Sequence, residues 1–341
     1  MTGGALDVLL IGGSGFMGRH VTEALQKAGH RVSVLSRGLR PPPAGVETLV
    51  ADRNEPEALA RALNGRRFDF TVDFMVYDAV DIERLLLVPY AALGRYAMIS
   101  TGQVYLVTAG AEPPYREEDT DADVRPEPGP GTTDHGQWQY GAGKRRAERT
   151  LSALRATHGV RAVALRLPIM QGEGDGSLRL WAYLERLLDG APLLLPEDGA
   201  QLVRHLDVAD LAAMIVRLAE AEAPRAYAYN LTQAEVLTLR EMLERVAAAA
   251  GVTPRFVNVG WDELHAAGLD GSVSPFSGRW RSVLDPSRAA AEWGFIGTRT
   301  EEYLPRVVRW HLENRPAQSH HGYANRPREL ELMARLGAAT R

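Results

Sequence analysis

Apolar and polar positions alternate in regular blocks through the first half of the chain. Six short apolar runs predict strands, at Asp7–Ile11, Arg31–Leu35, Val46–Val50, Phe70–Val76, Tyr96–Ser100 and Val160–Leu167. Helical spacing of apolar residues predicts a helix through Val21, Leu25 and Ala28, and further helices at Glu55–Leu63, Val80–Leu93 and Gly141–His158. Strands that alternate with helices are typical of a parallel, doubly wound α/β sheet.

The pattern changes after the sixth predicted strand. Beyond Gly172 it becomes rich in helices, which are predicted at Leu178–Leu188, Val208–Glu220, Leu239–Ala250, Trp261–Ala267, Pro286–Trp293 and Glu301–Asn314. The stretch from Ala109 to His135 is rich in Pro, Gly and acidic residues and has no periodicity. It therefore predicts a long loop, and loops of this length are usually functional or mobile.

A glycine-rich turn follows the first predicted strand and opens a helix. It fits both G-x-x-G-x-x-G and G-x-G-x-x-G, and reads Gly12-Gly13-Ser14-Gly15-Phe16-Met17-Gly18. Glycine permits a tight turn that brings backbone N–H groups, at a helix N-terminus, against a pyrophosphate. Because the turn joins a strand to a helix at the start of the alternating pattern, it predicts a dinucleotide cofactor.

The second strand indicates which dinucleotide is bound. An adenosine ribose with a free 2'-hydroxyl usually meets an Asp or Glu about 20 residues further on. This chain instead has Ser36-Arg37-Gly38 there, with Arg40 close behind. An arginine suits a 2'-phosphate, so NADP is favoured and NAD is possible. Alternatively, Arg37 stacks on the adenine of either dinucleotide.

Lysine is rare in this chain, and one of its lysines follows a tyrosine at helical spacing. Lys27 and Lys144 are the only lysines among 39 basic residues, and Lys144 lies four residues after Tyr140. Residues at this spacing share a helix face, so the ammonium can favour the phenolate form of the tyrosine. The pair could then exchange protons near neutral pH, although an exposed helix pair is the alternative.

Composition narrows the possible classes of function. The formal net charge is −4 and 43 residues are acidic, so no basic field favours nucleic acid. Cysteine is absent, which excludes disulfides, thiolate metal sites and a cysteine nucleophile, and no metal site is predicted. Nothing resembles a signal peptide or a membrane span, so we expect a soluble cytoplasmic protein without membrane partners.

Several motifs together carry a family resemblance. Besides the glycine turn and Tyr140-x-x-x-Lys144, they are Thr101-Gly102-Gln103-Val104-Tyr105, Ala164-Leu165-Arg166, Gly172-Glu173-Gly174-Asp175, Leu206-Asp207-Val208-Ala209-Asp210 and Tyr229-Asn230-Leu231. Over nearly its whole length the chain resembles the extended short-chain dehydrogenase/reductase family, which includes the sugar-nucleotide epimerases. The resemblance implies a Rossmann-type sheet with a smaller, mainly helical C-terminal substrate domain.

The resemblance also implies residue roles. Tyr140 would be the general acid/base, Lys144 would lower its pKa and hold the nicotinamide ribose, and Thr101 would hydrogen-bond the reacting oxygen. Further cofactor contacts are expected from Asp52, Arg53, Phe74 and Pro168.

Departures from the family pattern narrow the reaction. Members that dehydrate or decarboxylate sugars carry carboxylates where this chain has Gly102 and Gln103, so epimerase and ketoreductase remain. A preference for NADPH would favour reduction, because NADPH is the usual cellular reductant.

The substrate is expected to be a small, sugar-like molecule. Two diphosphate-binding residues of the nucleotide-sugar members are missing: their Asn is replaced by Ile169, and the position of their Arg falls near Ala200. Arg204, Arg279 or Arg281 could compensate. The remaining candidate substrate contacts are Gln103, Trp138 and Gln171. A nucleotide sugar held differently, a free sugar or cyclitol, and an alcohol within a secondary metabolite all stay open.

The predicted domains follow from these motifs. Residues 1–170 form the dinucleotide-binding domain with 205–235 returning to it, 171–204 and 236–315 form the substrate domain, and 316–341 is a tail expected to be a solvated surface segment. Relatives pair through the helices near Val80–Leu93 and Gly141–His158, which implies a homodimer. The alternative is a cofactor-sensing RNA-binding or regulatory protein without turnover, because Val72-Asp73-Phe74 and Val34-Leu35-Ser36-Arg37-Gly38 look like a branch of the family that includes RNA-binding proteins.

Overall fold

The computed structural model describes residues 4–85, 90–269, 273–276 and 281–339. Its strands are β1 (Asp7–Ile11), β2 (Arg31–Ser36), β3 (Glu47–Val50), β4 (Phe70–Asp73), β5 (Arg95–Thr101), β6 (Ala162–Leu167), β7 (Met170–Gln171), β8 (Leu193–Pro196), β9 (Leu202–Val203), β10 (Leu206–Asp207), β11 (Ala228–Asn230), β12 (Leu237–Thr238) and β13 (Phe256–Val259). Its α-helices are α1 (Phe16–Lys27), α2 (Pro56–Leu63), α3 (Ala79–Leu85), α4 (Tyr90–Leu93), α5 (Gln103–Leu106), α6 (Thr133–His158), α7 (Arg179–Leu188), α8 (Val208–Glu220), α9 (Leu239–Ala249), α10 (Trp261–Ala266), α11 (Ser287–Trp293), α12 (Thr300–Glu313) and α13 (Arg326–Ala339). Short 3-10 helices lie at Glu117–Asp121, Glu197–Gly199 and His321–Asn325.

The main sheet has seven strands in the order β11-β6-β5-β4-β1-β2-β3. Every pairing described in it is parallel. Numbered from the edge at β3, the first six strands follow the doubly wound order, and β11 adds a seventh. The predicted Rossmann-type fold is therefore confirmed.

Helices cover both faces of this sheet. Val8 and Leu10 of β1 belong to one apolar cluster, whereas Leu9 and Ile11 belong to another. Side chains of a strand alternate between faces, so both faces of β1 are buried, as a parallel sheet requires. Helix α1 packs with α8, and α3 packs with α6.

The described chain divides into two compact units. Unit 1 comprises residues 1–170, 206–232 and 284–297 and contains the seven-stranded sheet. Unit 2 comprises residues 171–205, 233–283 and 298–341, and within it β8 pairs with β13 in parallel and β9 pairs with β12 antiparallel.

Helix α6 is longer than its sequence pattern predicts. It begins at Thr133 instead of Gly141, because the Thr132 hydroxyl accepts a hydrogen bond from the His135 amide and caps the helix. It ends at Gly159, whose φ of 65° is the left-handed conformation that commonly stops a helix. The longer helix contains Tyr140.

The stretch 109–135 is anchored within unit 1 by a buried arginine. Arg145 of α6 donates to the Thr108 hydroxyl and to the Thr120 and Ala122 carbonyls. A β-bridge also joins Thr108 to Val124. The loop is thus tied to the helix at several points.

The C-terminal tail differs from the expected solvated segment. It forms α13, and Leu332 and Met333 are buried in an apolar cluster with Leu194 and Leu264 of unit 2. Glu329 makes an ion pair with Arg186 in which both side chains are almost fully buried. The expectation was wrong because α13 contains many charged residues, which obscure the helical spacing of its apolar residues. Two of these charged residues, Arg326 and Glu329, are buried in ion pairs.

Among the described helices, none has the length and apolarity that crossing a bilayer requires.

Candidate functional site

The carboxyl ends of β1, β4, β5 and β6 meet at one edge of the sheet in unit 1. This edge includes the point between β1 and β4 where the strand order reverses. In open α/β sheets, ligands bind in the crevice at such a reversal point. The glycine turn and Thr101 lie at this edge, and Tyr140 and Lys144 approach it from α6.

The glycine turn is shaped by two different steric demands. Gly12 has a φ of +82°, which side chains with a Cβ rarely adopt. A Cβ at Gly18 would lie 2.5 Å from the Cα of Gly13, so Gly18 lets α1 pack directly on the turn. A Cβ at Gly15, by contrast, would meet only the Gly12 carbonyl oxygen, at 3.6 Å. Gly15 is therefore left open on its outer side.

The start of α1 fits a diphosphate. Its N-cap is Gly15, which provides no side-chain cap, and its first turn holds no acidic residue. The Ser14 hydroxyl oxygen is buried without a hydrogen-bond partner in the described part of the chain. Unsatisfied backbone N–H groups and a buried hydroxyl are suitable donors for phosphate oxygens. Phe16 and Met17, which complete the predicted set, open α1 and are half-buried.

Two exposed arginines follow β2. Arg37 and Arg40 are exposed, and the half-buried Ser36 accepts a hydrogen bond from the Gly38 amide through its hydroxyl. Within the part of the chain that the structure describes, neither arginine side chain makes a hydrogen bond or an ion pair. Both remain available to a negatively charged ligand.

Arg53 has a different environment. It is buried, donates to both carboxylate oxygens of Asp73 at 2.7 and 2.9 Å, and donates to the Asp81 carbonyl. The neighbouring Asp52 accepts from the Asn54 amide. The structure thus directs the Arg53 guanidinium to the protein interior, and a role for it in binding cofactor stays a prediction.

Tyr140 and Lys144 lie one helical turn apart on α6. The Lys144 Nζ lies 5.9 Å from the centre of the Tyr140 ring and donates a 2.7 Å hydrogen bond to the Ile99 carbonyl of β5. The lysine is buried, whereas the tyrosine is partly exposed. The spacing seen in the sequence therefore brings the two groups together.

Burial dominates the electrostatics of Lys144. The pKa of the ammonium is lowered to about 8, chiefly by the loss of water around it and to a smaller extent by nearby Arg53. The carboxylates of Asp73, Glu148 and Asp81 act in the opposite direction and favour the charged form. The lysine is thus poised to gain or lose its charge within the range in which enzymes work.

Thr101 ends β5, two residues after Ile99, whose carbonyl accepts the hydrogen bond from Lys144. Its hydroxyl oxygen accepts a hydrogen bond from the Gln103 amide at 3.2 Å, so the hydroxyl proton can be donated elsewhere. The Gln103 side chain donates to the Gln137 side-chain oxygen at 2.8 Å. Gln103 is therefore engaged with α6, and a substrate contact from it stays a prediction.

Two glycines let α6 come close to its neighbours. A Cβ at Gly141 would lie 2.8 Å from the Gln103 carbonyl oxygen, and one at Gly143 would lie 2.5 Å from the Tyr77 carbonyl oxygen. Contacts that short do not occur, so larger residues would push the helix away. The Tyr140-Gly141-Ala142-Gly143-Lys144 segment is thus clamped between two backbone segments.

The remaining predicted residues of unit 1 have varied surroundings. Phe74 is buried next to the glycine turn, and Pro168 is half-buried after β6. The Trp138 indole donates to the Arg125 carbonyl and lines a cavity of about 390 Å³ with Arg125 and Arg149. Trp138 therefore faces the 109–135 segment.

Predicted substrate residues of unit 2 are mostly engaged internally. Gln171 is buried against His205, with 3.1 Å between the amide nitrogen and Nδ1. The Arg204 side chain donates to the carbonyls of Gln233 and Ala234. Arg281 is half-buried and Arg279 lies outside the described residues.

Sequence reasoning missed three residues around Lys144. Tyr77 follows β4, with its ring centre 5.1 Å from the lysine Nζ, while Asp73 and Glu148 are buried carboxylates that influence its charge. The position of Tyr77 after the carboxyl end of a central strand is a signal that could have revealed it. Glu148, four residues after Lys144, was equally accessible to a helical-spacing argument.

Comparison with known proteins decides the family. Residues 8–231 match the NAD dependent epimerase/dehydratase family. The chain belongs to this family. As a member of the NAD dependent epimerase/dehydratase family, it is an enzyme of the nicotinamide-dependent reductase or epimerase type, and the predicted family and enzyme class are confirmed.

Curated relatives include two reductases. The chain is 31% identical to the 2'-dehydrokanamycin reductase of Streptomyces kanamyceticus over 82% of its length and 77% of the relative. It is 28% identical to the 3-diazoavenalumate denitrifying reductase of a Streptomyces species over 73% of its length and 83% of the relative. It is also 22% identical to the chloroplast stem-loop binding protein of 41 kDa b of Arabidopsis thaliana over 72% of its length and 63% of the relative.

Solved structures share the fold. The UDP-glucose 4-epimerase of Thermus thermophilus in complex with NAD has a TM-score of 0.68 and 22% identity, over 91% of this chain and all (100%) of that chain. The dTDP-glucose 4,6-dehydratase of Bacillus anthracis in complex with NAD has a TM-score of 0.70 and 17% identity, over 91% of this chain and 97% of that chain.

Proposed function

We propose that this enzyme is an NADPH-linked ketoreductase that acts on a polar, sugar-like substrate, with NADH and an epimerase reaction as the alternatives. The observation that carries the proposal is the arrangement of Thr101, Tyr140 and Lys144, in which a buried ammonium lies beside a partly exposed phenol. Two of the curated relatives are named reductases, which supports reduction over epimerisation.

The proposed chemistry uses the three side chains in separate roles. When bound, the nicotinamide supplies hydride to the carbonyl carbon. The Tyr140 phenol gives its proton to the carbonyl oxygen, and the Lys144 ammonium stabilises the phenolate that remains. The Thr101 hydroxyl donates a hydrogen bond to the same oxygen as negative charge develops there. The phenolate then recovers its proton from solvent.

The residues after Thr101 support the exclusion of dehydration. Gly102 has no side chain, and Gln103 is an amide tied to Gln137. Neither can act as a carboxylate base or acid at that position. The site therefore supports redox exchange at an alcohol carbon without loss of water.

The surroundings of Arg204 support a substrate without a nucleotide diphosphate. Its guanidinium is engaged by two carbonyls of unit 2, and Ile169 cannot replace the missing amide. A free sugar, a cyclitol or an alcohol carried by a secondary metabolite fits this better than a nucleotide sugar. The relative named for 2'-dehydrokanamycin is consistent with such a substrate.

Replacement of Tyr140 by Phe tests the proposed acid/base role. The substitution keeps the ring and removes the proton donor, so we expect turnover to fall by about 10²–10⁴-fold with little change in cofactor affinity. Steady-state kinetics and cofactor fluorescence titration measure the two quantities. The matched control is Tyr323→Phe, the same change in unit 2, which should leave turnover unaltered. Unchanged activity in Tyr140→Phe would remove the proposal.

Replacement of Arg37 by Ala tests the choice of cofactor. If Arg37 binds a 2'-phosphate, the KM for NADPH should rise by about tenfold, the loss of roughly 1.4 kcal/mol of binding, while the KM for NADH changes little. Arg61→Ala, at another exposed arginine of unit 1, is the control. An equal rise for both cofactors would instead indicate stacking on the adenine.

A second candidate is RNA binding with the dinucleotide as a sensed ligand. The similarity to the stem-loop binding protein favours it, whereas the net charge of −4 opposes it. A salt-dependent mobility shift with stem-loop RNA separates the two candidates, because a reductase should show no shift at physiological salt. The homodimer and the cytoplasmic location stay predictions.

A further inference from the structure

A second tyrosine lies beside the proposed catalytic pair. The centre of the Tyr77 ring is 5.1 Å from the Lys144 Nζ, nearer than the Tyr140 ring at 5.9 Å. The two tyrosine rings are 6.4 Å apart and tilted by 51°. A cation this close to two ring faces is attracted by both of their quadrupoles. The ammonium therefore has aromatic neighbours on two sides.

The exposed fractions of the three side chains indicate that the rings cover the lysine. Tyr77 is 49% exposed and Tyr140 is 38% exposed, while Lys144 is only 3% exposed. The two rings thus separate the buried ammonium from water. The ammonium also donates a hydrogen bond to the Ile99 carbonyl.

The backbone around Tyr77 is fixed from two directions. The Tyr77 amide donates a 2.7 Å hydrogen bond to the Asp81 carboxylate. The Tyr77 carbonyl lies against Gly143, directly before Lys144, where no Cβ could fit. Next to it, Asp78 accepts a 2.9 Å hydrogen bond from Arg146 of α6. The ring of Tyr77 is therefore carried by a segment that is held to the helix of the lysine.

We propose that Tyr77 is a positioning residue, whose ring shields the Lys144 ammonium from water and holds it between the Ile99 carbonyl and Tyr140. The importance of this role for catalysis rests on the proposed function, which Tyr77 would deepen at the same site. The ring, and not the phenol hydroxyl, does the positioning.

The charged groups around Lys144 would stay unchanged when Tyr77 is replaced. They are Asp73 of β4, Glu148 of α6, Asp81 of α3 and Arg53 after β3. Loss of the ring removes its attraction for the cation, which disfavours the charged form, and admits water, which favours it; burial is the largest cause of the lowered pKa, so the effect of water should prevail. Loss of the ring should therefore raise the pKa of Lys144 from about 8 toward ordinary lysine values.

Because the chain has two lysines, the pKa of Lys144 can be measured without any assay of turnover. Protein labelled with ¹³Cε-lysine gives signals from Lys27 and Lys144 alone, and Lys27→Arg assigns them. In Tyr77→Ala, we expect the NMR titration midpoint of Lys144 to rise by about one pH unit or more, a tenfold change in its proton affinity. In Tyr77→Phe, the midpoint should stay where it is in the parent protein. Tyr323→Ala is the control for loss of a remote ring.

Two results would overturn the proposal. One is a midpoint in Tyr77→Ala that is unchanged or lower, and the other is an equal rise in Tyr77→Phe, which would assign the effect to the hydroxyl. Circular dichroism verifies that the variants are folded. If Tyr77→Ala fails to fold, Tyr77→Ser replaces it, because serine also removes the ring and admits water to the ammonium.

Kinetics separates this proposal from the proposed function. In Tyr77→Ala, the alkaline limb of the kcat profile should move to higher pH, and Tyr77→Phe should restore the original profile. A shifted Lys144 midpoint together with an active Tyr140→Phe would support the role of Tyr77 and refute the ketoreductase mechanism. An inactive Tyr140→Phe with an unshifted midpoint would do the reverse.

Discussion

At the residue scale, the close approach of α6 to its neighbours depends on two glycines, which have no side chain. These glycines, Gly141 and Gly143, alternate with Tyr140, Ala142 and Lys144. Each of the two glycines faces a backbone carbonyl at a distance that only glycine permits. The two functional side chains are therefore brought to the sheet by the small residues between them.

The substitution Gly143→Ala should disturb the site by steric overlap. Its Cβ would lie 2.5 Å from the Tyr77 carbonyl oxygen, and displacing the helix should cost about 1–3 kcal/mol of stability. Turnover should fall as well, because Lys144 moves with the helix. Urea denaturation and steady-state rates measure both effects.

The matched control lies on the same helix. Gly136→Ala places a Cβ where nothing lies within 4 Å, so it should stabilise the helix by about 0.5–1 kcal/mol and leave turnover intact. Equal effects at Gly136 and Gly143 would contradict the steric explanation.

The residues of the glycine turn and of the tyrosine–lysine pair could be predicted, because their spacing along the sequence is sufficient to indicate their function. The place of Tyr77 after β4 indicates the site, but spacing along the chain could not predict its contact with Lys144, because that contact depends on how the end of β4 packs on α6. Arg53 shows the opposite case. Its motif points to the cofactor, yet its guanidinium is taken up by Asp73, a partner 20 residues away.

At the element scale, α6 shows how tertiary contacts extend a weak local pattern. Its first turns contain Gly136 and several polar residues, which have low helix propensity. The Thr132 cap and the contact of Gln137 with Gln103 hold those turns in place. Sequence periodicity therefore found the core of the helix and missed its start.

A buried ion pair joins α6 to β6. Glu148 accepts hydrogen bonds from Arg166 at 2.6 and 3.1 Å and from the Ser100 hydroxyl, and both charged groups are almost fully buried. Burial of an unpaired charge is strongly unfavourable. The pair therefore couples the helix of Tyr140 to the strand that precedes Pro168.

Removal of one partner should be costly. We expect Glu148→Ala to lower the free energy of unfolding by about 3–5 kcal/mol, because Arg166 would be left buried without its carboxylate. The control is Glu57→Ala, which breaks the exposed Glu57–Arg61 pair and should change stability by less than about 1 kcal/mol. Similar urea midpoints for the two variants would argue against the importance of the buried pair.

At the scale of the whole molecule, the buried Lys144 links stability to pH. Without cofactor its pKa is lowered to about 8, chiefly by burial, whereas a lysine in an unfolded chain has a pKa of ~10.4. Between these values the unfolded chain keeps a proton that the folded protein has released. Stability therefore rises with pH in this window.

From the size of the pKa shift of Lys144, we expect the free energy of unfolding to increase by about 2–3 kcal/mol between pH 8 and 10. Above that range, buried tyrosines such as Tyr105 and Tyr183, whose pKa values are raised by burial, act in the opposite direction. Urea denaturation of the cofactor-free protein at several pH values measures the slope. Lys144→Met should abolish it and Lys27→Met should keep it; the same slope in both would exclude Lys144 as its source.

The sheet itself could be predicted further than the division of the chain. Strand and helix alternation indicated six strands and their parallel arrangement, because each strand carries its own apolar signal. β11 has three residues, too few for a periodic signal. Likewise, nothing local in residues 284–297 indicates that they belong with unit 1, since the evidence lies in packing contacts of Ala289 and Phe295 with the sheet cluster.

The late position of β11 in the chain affects how the protein is synthesised. β6 is complete at Leu167, but its outer neighbour ends at Asn230, so a ribosome adding ~5–20 residues per second needs several seconds to supply it. During that interval the outer edge of β6 offers unpaired N–H and C=O groups to other nascent chains. Prematurely terminated products that stop before Ala228 would keep that edge open permanently and are candidates for aggregation and degradation.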